Sequence, residues 1–258
     1  MSLNTKNDCC FSALALSPPY WNCAGKLAKN LTEFAPGIKL VVATDNVSYF
    51  KEFDNVIAIP HRHYFGYRPY NDKLFAIDAA LQRFSVVVQV DVDITFLQPV
   101  ETLVNENWQL GITGRSESLV EHTRKYNPKT LIHLEKICDR LDLELDSIRW
   151  IGESLFVIRR DSGKEQKFLA CWRKLAHYWD IHKLGAGEGA ILGLAAAYVG
   201  WEVEKNEHWT RLNSALVHQD IHKEIVEPQS AQLKRKWYYR LRILRSKLLA
   251  IQDRDFYQ

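Results

Sequence analysis

Cysteine is scarce in this chain of 258 residues, and its spacing excludes two common kinds of small domain. There are five cysteines, an odd number, and none of them forms a Cys-x-x-Cys pair. A zinc site and a disulfide framework are therefore not expected. A reducing compartment is the simpler interpretation of unpaired cysteines.

Long apolar runs are also missing. The longest near-apolar stretch, residues 190–201, is too short to cross a bilayer as a helix. The apolar segment 9–16 follows Asp8 directly and has no cluster of basic residues before it. We interpret this segment as the first core strand rather than a secretory leader, and we expect a cytoplasmic protein.

Strong charge of one sign is absent from the chain as a whole, since the net charge is only +3. A general affinity for nucleic acid is therefore not expected. The positive charge is concentrated in one place, because residues 229–252 contain seven basic residues and no acidic one. There is also no internal repeat and no low-complexity linker, and 47% of the residues are hydrophobic, which is typical of a folded globular protein.

Apolar strand-like segments alternate with helical ones along the first hundred residues. Segments 11–16, 39–44, 56–59 and 86–94 are apolar and rich in β-branched residues, and helical patterns separate them. This alternation predicts an α/β fold with a mostly parallel central sheet flanked by helices.

The fourth strand-like segment, 86–94, contains two carboxylates, Asp91 and Asp93. We interpret the whole segment as one buried strand that ends in both acids, so their side chains project to the same side, about 6.5 Å apart along the chain. Two such carboxylates repel each other, and a hard divalent cation would relieve the repulsion. Ligands of open α/β sheets bind beyond the carboxyl ends of the strands, where this pair is expected.

Three segments in this order resemble the nucleotide-sugar glycosyltransferases of the GT-A fold. They are Asn-Asp-Lys-Leu at 71–74, Val-Gln-Val-Asp-Val-Asp at 88–93 and Gly-Glu-Gly-Ala-Ile-Leu at 187–192. The similarity is strongest to the glycogenin-like and bacterial lipooligosaccharide galactosyltransferase group. It extends over about residues 11 to 222, and the order of the segments carries more weight than any single one.

The resemblance implies that Asp91 and Asp93 hold manganese, or magnesium, on the diphosphate of a sugar nucleotide. His218 resembles the late histidine that completes this metal site in the family. The glycine and lysine that usually follow that histidine are missing here. His208 and His222 are therefore alternatives, and a purely structural histidine is another.

Donor binding is implied for Asp91, through the metal, and for Lys73, Ser17 and Asp45. Lys73 would neutralise phosphate, and the alternative is a surface lysine in the first turn of a helix. Ser17 and Asp45 follow the first two strands, where this fold holds the nucleoside. Asp45 could instead cap the helix that follows it.

Glu153 and Glu188 are the candidate catalytic acids, and each lies between small residues. One of them could orient or deprotonate the acceptor hydroxyl, or stabilise positive charge on the sugar. The alternative for Glu188 is a capping role at a helix predicted to begin at Ala190.

The sequence predicts a GT-A-like domain over residues 9–226 and a basic amphipathic tail over 227–258. In the tail, residues 233–251 place an apolar stripe beside the basic residues. The members of the stripe are Leu233, Trp237, Leu241, Leu244, Leu248 and Ile251. Such a helix suits an anionic membrane surface, here the inner face of the cytoplasmic membrane, or it packs its stripe on the domain.

The function that follows from the resemblance is metal-dependent transfer of a hexose from a nucleotide diphosphate sugar. The acceptor would be a hydroxyl on a glycan or glycolipid. One alternative is a nucleotidyltransferase, although residues 17–20 lack the glycine-rich basic loop that such enzymes carry. Another is an inactive glycosyltransferase-like binding or scaffold protein at a membrane.

Overall fold

The computed structural model of the protein describes residues 8–66, 69–185, 187–203, 205–219 and 229–257. Its strands are β1 (Cys9–Ala15), β2 (Lys39–Thr44), β3 (Val56–Pro60), β4 (Val86–Val90), β5 (Ile94–Phe96), β6 (Gly111–Ser118), β7 (Arg149–Arg159) and β8 (Leu216–His218). Its helices are α1 (Pro18–Phe34), α2 (Lys73–Leu81), α3 (Glu101–Val104), α4 (Leu119–Tyr126), α5 (Leu131–Leu141), α6 (Lys164–His182), α7 (Glu188–Tyr198), α8 (Glu207–Ser214), α9 (Gln229–Gln252) and α10 (Arg254–Tyr257).

Six strands form the central sheet, in the order β3-β2-β1-β4-β7-β6. The first four run parallel, β7 runs antiparallel to β4, and β6 runs antiparallel to β7. The mostly parallel sheet predicted from the sequence is therefore confirmed. Because parallel strands end at the same edge, the residues after β1, β2 and β4 lie side by side there.

Helices cover both faces of the sheet. Alternate residues of β4 point to opposite faces, so Val87 joins one core cluster while Val86 and Val88 join the other. The cluster around Val87 includes apolar residues of α2, α5, α6 and α7. The opposite cluster includes residues of α1, α3 and α8. Burial on both faces explains the continuous apolar character of the strand.

Strand β4 ends at Val90, earlier than the sequence pattern suggests. The amide of Asp91 still donates to the Ser154 carbonyl of β7 at 3.0 Å, but the chain then turns, and the Ile94 amide donates back to the Asp91 carbonyl. A separate two-stranded sheet follows, in which β5 pairs with β8. The expectation that one strand carries both Asp91 and Asp93 is therefore wrong, although their side chains still lie close together.

The sequence also predicts a mostly helical segment over residues 116–149 and a short strand over 201–203. The first prediction is largely confirmed by α4 and α5, although β6 continues to Ser118 before α4 begins. Residues 201–203, expected to form a short strand, are not in a strand. In this segment Trp201 packs into the core and its indole N–H donates to Asp161, so the apolar pattern reflects burial alone.

Helix α7 begins at Glu188, two residues before the predicted start, and it packs closely on β7. A Cβ on Gly189 would collide with the Ile151 carbonyl and the Trp150 indole. A Cβ on Gly193, one turn later, would collide with the Arg149 carbonyl. Two glycines four residues apart therefore let this helix approach the strand, and the approach positions Glu188.

Helix α9 packs on the domain through a face that the sequence pattern did not indicate. Ile243 and Ser246 are buried, whereas Trp237, Leu244 and Leu248 of the apolar stripe are more than half exposed. The alternative that this stripe packs on the domain is therefore wrong for the described side chains. The side chain of Leu233 and the predicted domain boundary near residue 226 lie outside what the structure describes, so that boundary stays a prediction.

None of the described helices is long and apolar enough to span a membrane.

Candidate functional site

The predicted site residues occupy neighbouring positions along the carboxyl edge of the sheet. Asp45 follows β2, Ser17 lies just after β1, and Asp91 follows β4. Glu153 lies in the antiparallel strand β7, two residues from the Leu155 that pairs with Val90. The edge therefore runs from Asp45 through Asp91 to Glu153, with Lys73 and Glu188 added from the helices α2 and α7.

Lys73 is the centre of a buried charged group. Its Nζ lies 2.7 Å from Asp91 Oδ1 and 2.8 Å from Glu188 Oε1, and it donates to the Glu153 carbonyl at 3.2 Å. The side chain is only 7% exposed, so the alternative of an ordinary surface lysine is wrong. Burial alone would lower the pKa of Lys73, but the Asp91 and Glu188 carboxylates outweigh it and raise the pKa.

Two carboxyl groups face each other beside this lysine. Burial, and then the charge of Glu188, raise the pKa of Glu153 to about 8, which favours the protonated form of this carboxyl group. Glu153 Oε1 accepts the Gly189 amide at 2.8 Å. Among the described residues, Glu188 Oε2 is buried without a hydrogen-bond donor, and a protonated Glu153 would provide one.

Glu188 is the first residue of α7, and its carboxylate points to Lys73. A capping role therefore does not describe the main contact of Glu188. Its carboxylate accepts a hydrogen bond from Lys73, which is 115 residues away in the sequence. The helix that begins at Lys73 likewise has no side-chain cap, although Asp72 occupies the cap position. Asp72 instead accepts the amides of Tyr64 and Phe65, and this contact ties the preceding loop to the helix.

Asp91, Asp93 and His218 form a second group whose ligand atoms lie within 4.8 Å of one another. His218 Nε2 is 2.9 Å from Asp93 Oδ1 and 3.8 Å from Asp91 Oδ2. The two aspartates meet through the turn after β4, and the pairing of β8 with β5 places His218 opposite Ile94. Of the alternative histidines, His208 lies beside Glu106, and His222 is outside the described residues.

These three side chains fit a divalent metal ion. Two carboxylate oxygens and one imidazole nitrogen match the preferences of manganese, and magnesium prefers the oxygens. Asp93 is buried and Asp91 is partly exposed, so one side of the group faces the edge of the sheet. The group could therefore hold an ion that also contacts a ligand there.

Ser17 and Asp45 lie together, as their positions after adjacent strands predict. Asp45 Oδ1 accepts the Ser17 amide at 3.0 Å and the Trp21 indole N–H at 2.7 Å. Asp45 does not cap the following 3₁₀ turn, because Asn46 occupies the cap position. Ser17 has a φ of 79°, an uncommon conformation that the bond to Asp45 helps to hold.

Two features of this edge were not identified from the sequence. One is Trp21. Its position in the first turn of α1, four residues after Ser17, could have indicated that it lies near the site. The other is an aromatic group formed by His122, Tyr126 and Trp150 beside Gly187. Its signal is the spacing of His122 and Tyr126, which puts both rings on one face of a helix.

The comparison with solved structures shows what this architecture is similar to. The apo structure of WbbM, a bifunctional glycosyltransferase, matches with a TM-score of 0.50 and 11% sequence identity. The match covers 82% of this chain but only 45% of that chain, so this chain corresponds to less than half of that protein. This chain has a glycosyltransferase-like fold. At such low identity the likeness shows the fold alone.

Neither the protein-family models nor the curated proteins contain a match to this sequence.

Proposed function

We propose that this protein is a metal-dependent glycosyltransferase that moves a hexose from a nucleotide diphosphate sugar to a glycan or glycolipid hydroxyl. One observation carries the proposal: the Asp91–Asp93–His218 group lies directly beside the buried Lys73–Glu188–Glu153 group. The fold, the edge of the sheet and the order of the sequence segments support it. The glycogenin-like and lipooligosaccharide group is the branch we propose.

Asp91, Asp93 and His218 would hold the manganese or magnesium ion, which neutralises the leaving diphosphate when bound. Lys73 already touches Asp91, so its ammonium lies next to the proposed position of the diphosphate and adds positive charge there. Ser17 and Asp45, which follow β1 and β2 on the opposite side of β4 from β7, would contact the nucleoside.

Glu153 is the carboxyl group that we assign to the acceptor side. It is partly exposed, whereas Glu188 is 1% exposed and is held by Lys73. With its pKa raised to about 8, Glu153 can exchange a proton with an acceptor hydroxyl near neutral pH. In this arrangement Glu188 sets the protonation of Glu153 and orients it.

Donor binding can be tested by thermal shift with a panel of nucleotide diphosphate sugars, with and without Mn²⁺. A ligand at 100 times its dissociation constant stabilises the protein by about 2.7 kcal/mol. We expect a metal-dependent shift that Asp91→Asn abolishes and that the exposed control Asp139→Asn retains. A shift that is unchanged in Asp91→Asn would contradict the metal assignment.

Turnover separates the enzyme from its alternatives. Slow Mn²⁺-dependent hydrolysis of the stabilising sugar nucleotide is expected from a glycosyltransferase that lacks its acceptor. Binding without hydrolysis or transfer would instead indicate the inactive binding protein. Release of pyrophosphate from a nucleoside triphosphate and a sugar phosphate would indicate a nucleotidyltransferase.

We also propose that α9 contacts an anionic membrane surface, which would bring the enzyme to a glycolipid acceptor at the inner face of the cytoplasmic membrane. Trp237, Leu244, Leu248 and Ile251 are each more than half exposed. Exposed basic residues lie on the same helix, including Arg240 and Lys247. Apolar side chains flanked by positive charge match the headgroup region of anionic lipids.

Vesicle sedimentation tests this contact. Binding to vesicles with about a third of phosphatidylglycerol should exceed binding to phosphatidylcholine alone and should weaken in high salt. Leu244→Glu with Leu248→Glu should remove the binding. Leu110→Glu, at an exposed leucine just before β6, is the matched control. Equal binding of all three proteins would contradict the proposal.

A further inference from the structure

An aromatic pocket lies on the β7 side of the candidate site. It has a volume of about 90 Å³, and its wall includes His122, Tyr126, Asn127, Trp150 and Gly187. The His122 and Trp150 rings stack, with centroids 4.1 Å apart and an interplanar angle of 9°. Tyr126 also contacts His122, with ring centroids 4.7 Å apart, and is 63% exposed, so the aromatic wall continues to the protein surface.

Glu153 packs against Gly187, one of the residues that line the pocket. Gly187 lines the pocket, and a Cβ at this position would collide with the Glu153 carboxylate. The Trp150 indole packs against Gly189, whose amide donates to Glu153 Oε1. A ligand in the pocket would therefore lie next to the carboxyl group that we assign to proton exchange.

The order of the strands separates this pocket from the nucleoside side. Asp45 and Ser17 follow β2 and β1, on one side of β4, whereas Trp150 belongs to β7 on the other side. Asp91, at the end of β4, lies between them. A donor whose diphosphate is at Asp91 and whose nucleoside is at Ser17 leaves the β7 side for the second substrate.

We propose that this pocket binds a pyranose ring of the acceptor glycan, which rests on the proposed function. Aromatic faces accept the apolar C–H face of a sugar, and a few polar groups, here Asn127 and the His122 ring, suit its hydroxyls. His122 Nδ1 is held by Glu117 at 2.7 Å, which fixes the ring plane. Glycine at 187 lets the Glu153 carboxylate lie against the backbone that lines the pocket.

The test uses ligand-observed NMR with methyl glycosides of glucose, galactose and N-acetylglucosamine and with lactose as probes. At least one probe should bind the wild-type protein, and Tyr126→Ala and His122→Ala should each weaken that binding roughly tenfold. Tyr198→Ala, at an exposed tyrosine at the far end of α7, should bind like the wild type. Folding of each variant is checked by its thermal unfolding.

The outcomes separate this inference from the function on which it rests. If no probe binds, or if the two pocket variants bind like Tyr198→Ala, the pocket assignment is overturned. If a nucleoside monophosphate displaces the glycoside, the pocket belongs to the donor base and the assignment is also overturned. Failure of the proposed function is seen separately, as a wild-type protein that no sugar nucleotide stabilises with Mn²⁺.

Discussion

Two groups of polar side chains are buried in this protein, one beneath α9 and one at the carboxyl edge of the sheet. They differ in how completely their polar atoms are hydrogen-bonded. Beneath α9, the Ser246 hydroxyl bonds to His177 Nδ1 at 2.9 Å and to Asp180 Oδ2 at 3.0 Å. Asp180 Oδ2 also accepts the Gly66 amide at 2.8 Å. At the edge of the sheet, Lys73 joins two carboxylates, and Glu188 Oε2 has no donor among the described residues.

This difference separates a structural polar group from one available for chemistry. Hydrogen bonds between α6 and α9 need no ligand to complete them, and they hold the C-terminal helix in place. The edge group keeps two acids close together in a buried site, at a cost that folding alone does not require. Changes in each group should therefore affect stability in different ways.

The largest effect is expected from Lys73→Met. Removal of this ammonium leaves Asp91 and Glu188 without their shared cation, and such a loss costs about 3–5 kcal/mol of unfolding free energy. Denaturant unfolding in the absence of metal measures it. Lys167→Met, at an exposed lysine of α6, should change stability by less than about 0.5 kcal/mol.

A companion variant tests the cause of that loss. Adding Asp91→Asn and Glu188→Gln to Lys73→Met removes the uncompensated charges and should restore much of the stability. If the triple variant is as unstable as the single one, packing of the lysine stem, rather than its charge, holds this group together.

The second largest effect is expected from acidification, which should lower the unfolding free energy by protonating His177 beneath α9. Burial, with help from Arg173 and Arg245, lowers the pKa of His177 to about 4. Because the unfolded histidine has the higher pKa, stability is lost as the pH falls from about 6.5 to 4, by about 3 kcal/mol in total. His177→Gln cannot titrate and should show a smaller loss over this window in denaturant unfolding.

The His177 prediction is tested by comparing the wild-type protein with His177→Gln. Other groups also titrate between pH 7 and 4, so the comparison is the difference between wild type and His177→Gln at each pH. A difference that stays constant across the window would mean that folding does not lower the pKa of this histidine.

Glu153→Gln should stabilise the protein at neutral pH. Because the folded pKa of about 8 lies above the usual 4.5, the wild-type carboxyl weakens folding as the pH rises through this range. The neutral amide should therefore raise the unfolding free energy at pH 7 by about 1–3 kcal/mol and change it little at pH 4.5. Loss of transfer with a gain in stability would mark Glu153 as a functional residue.

The smallest change is expected from Ser246→Ala. It removes two hydrogen bonds but leaves Asp180 bonded to the Gly66 amide, so a loss of about 1–2 kcal/mol is expected. Ser48→Ala, at an exposed serine, is the control for denaturant unfolding. An unchanged stability would show that α9 is held by its apolar contacts alone.

Much of the fold could be predicted because burial on both sheet faces leaves a plain pattern. The run of valines in β4 and its position before Asp91 predicted a central strand at the edge of a site. The partners of Lys73 could not be predicted in the same way. A lysine is buried only where distant carboxylates meet it, and Glu188 is 115 residues away in sequence.

The interpretation of α9 shows a limit of apolar periodicity. The pattern offered the stripe of leucines either as a membrane-binding face or as the packed face, yet the buried face includes Ser246, whose partners come from α6. Periodicity registers apolar side chains and not hydrogen bonds, so a polar docking face is invisible to it. The same limit hid the turn at Asp91, since Val92 and Ile94 continue the apolar alternation through it.

The pairing of β8 with β5 affects the order in which the protein can be assembled. His218 comes 125 residues after Asp93, in the last strand that the structure describes, which forms three residue pairs with β5. During synthesis, the sheet through β7 can form before this histidine leaves the ribosome. An ion that needs all three side chains would therefore bind after the central sheet has formed, and it would stabilise the pairing of β5 with β8.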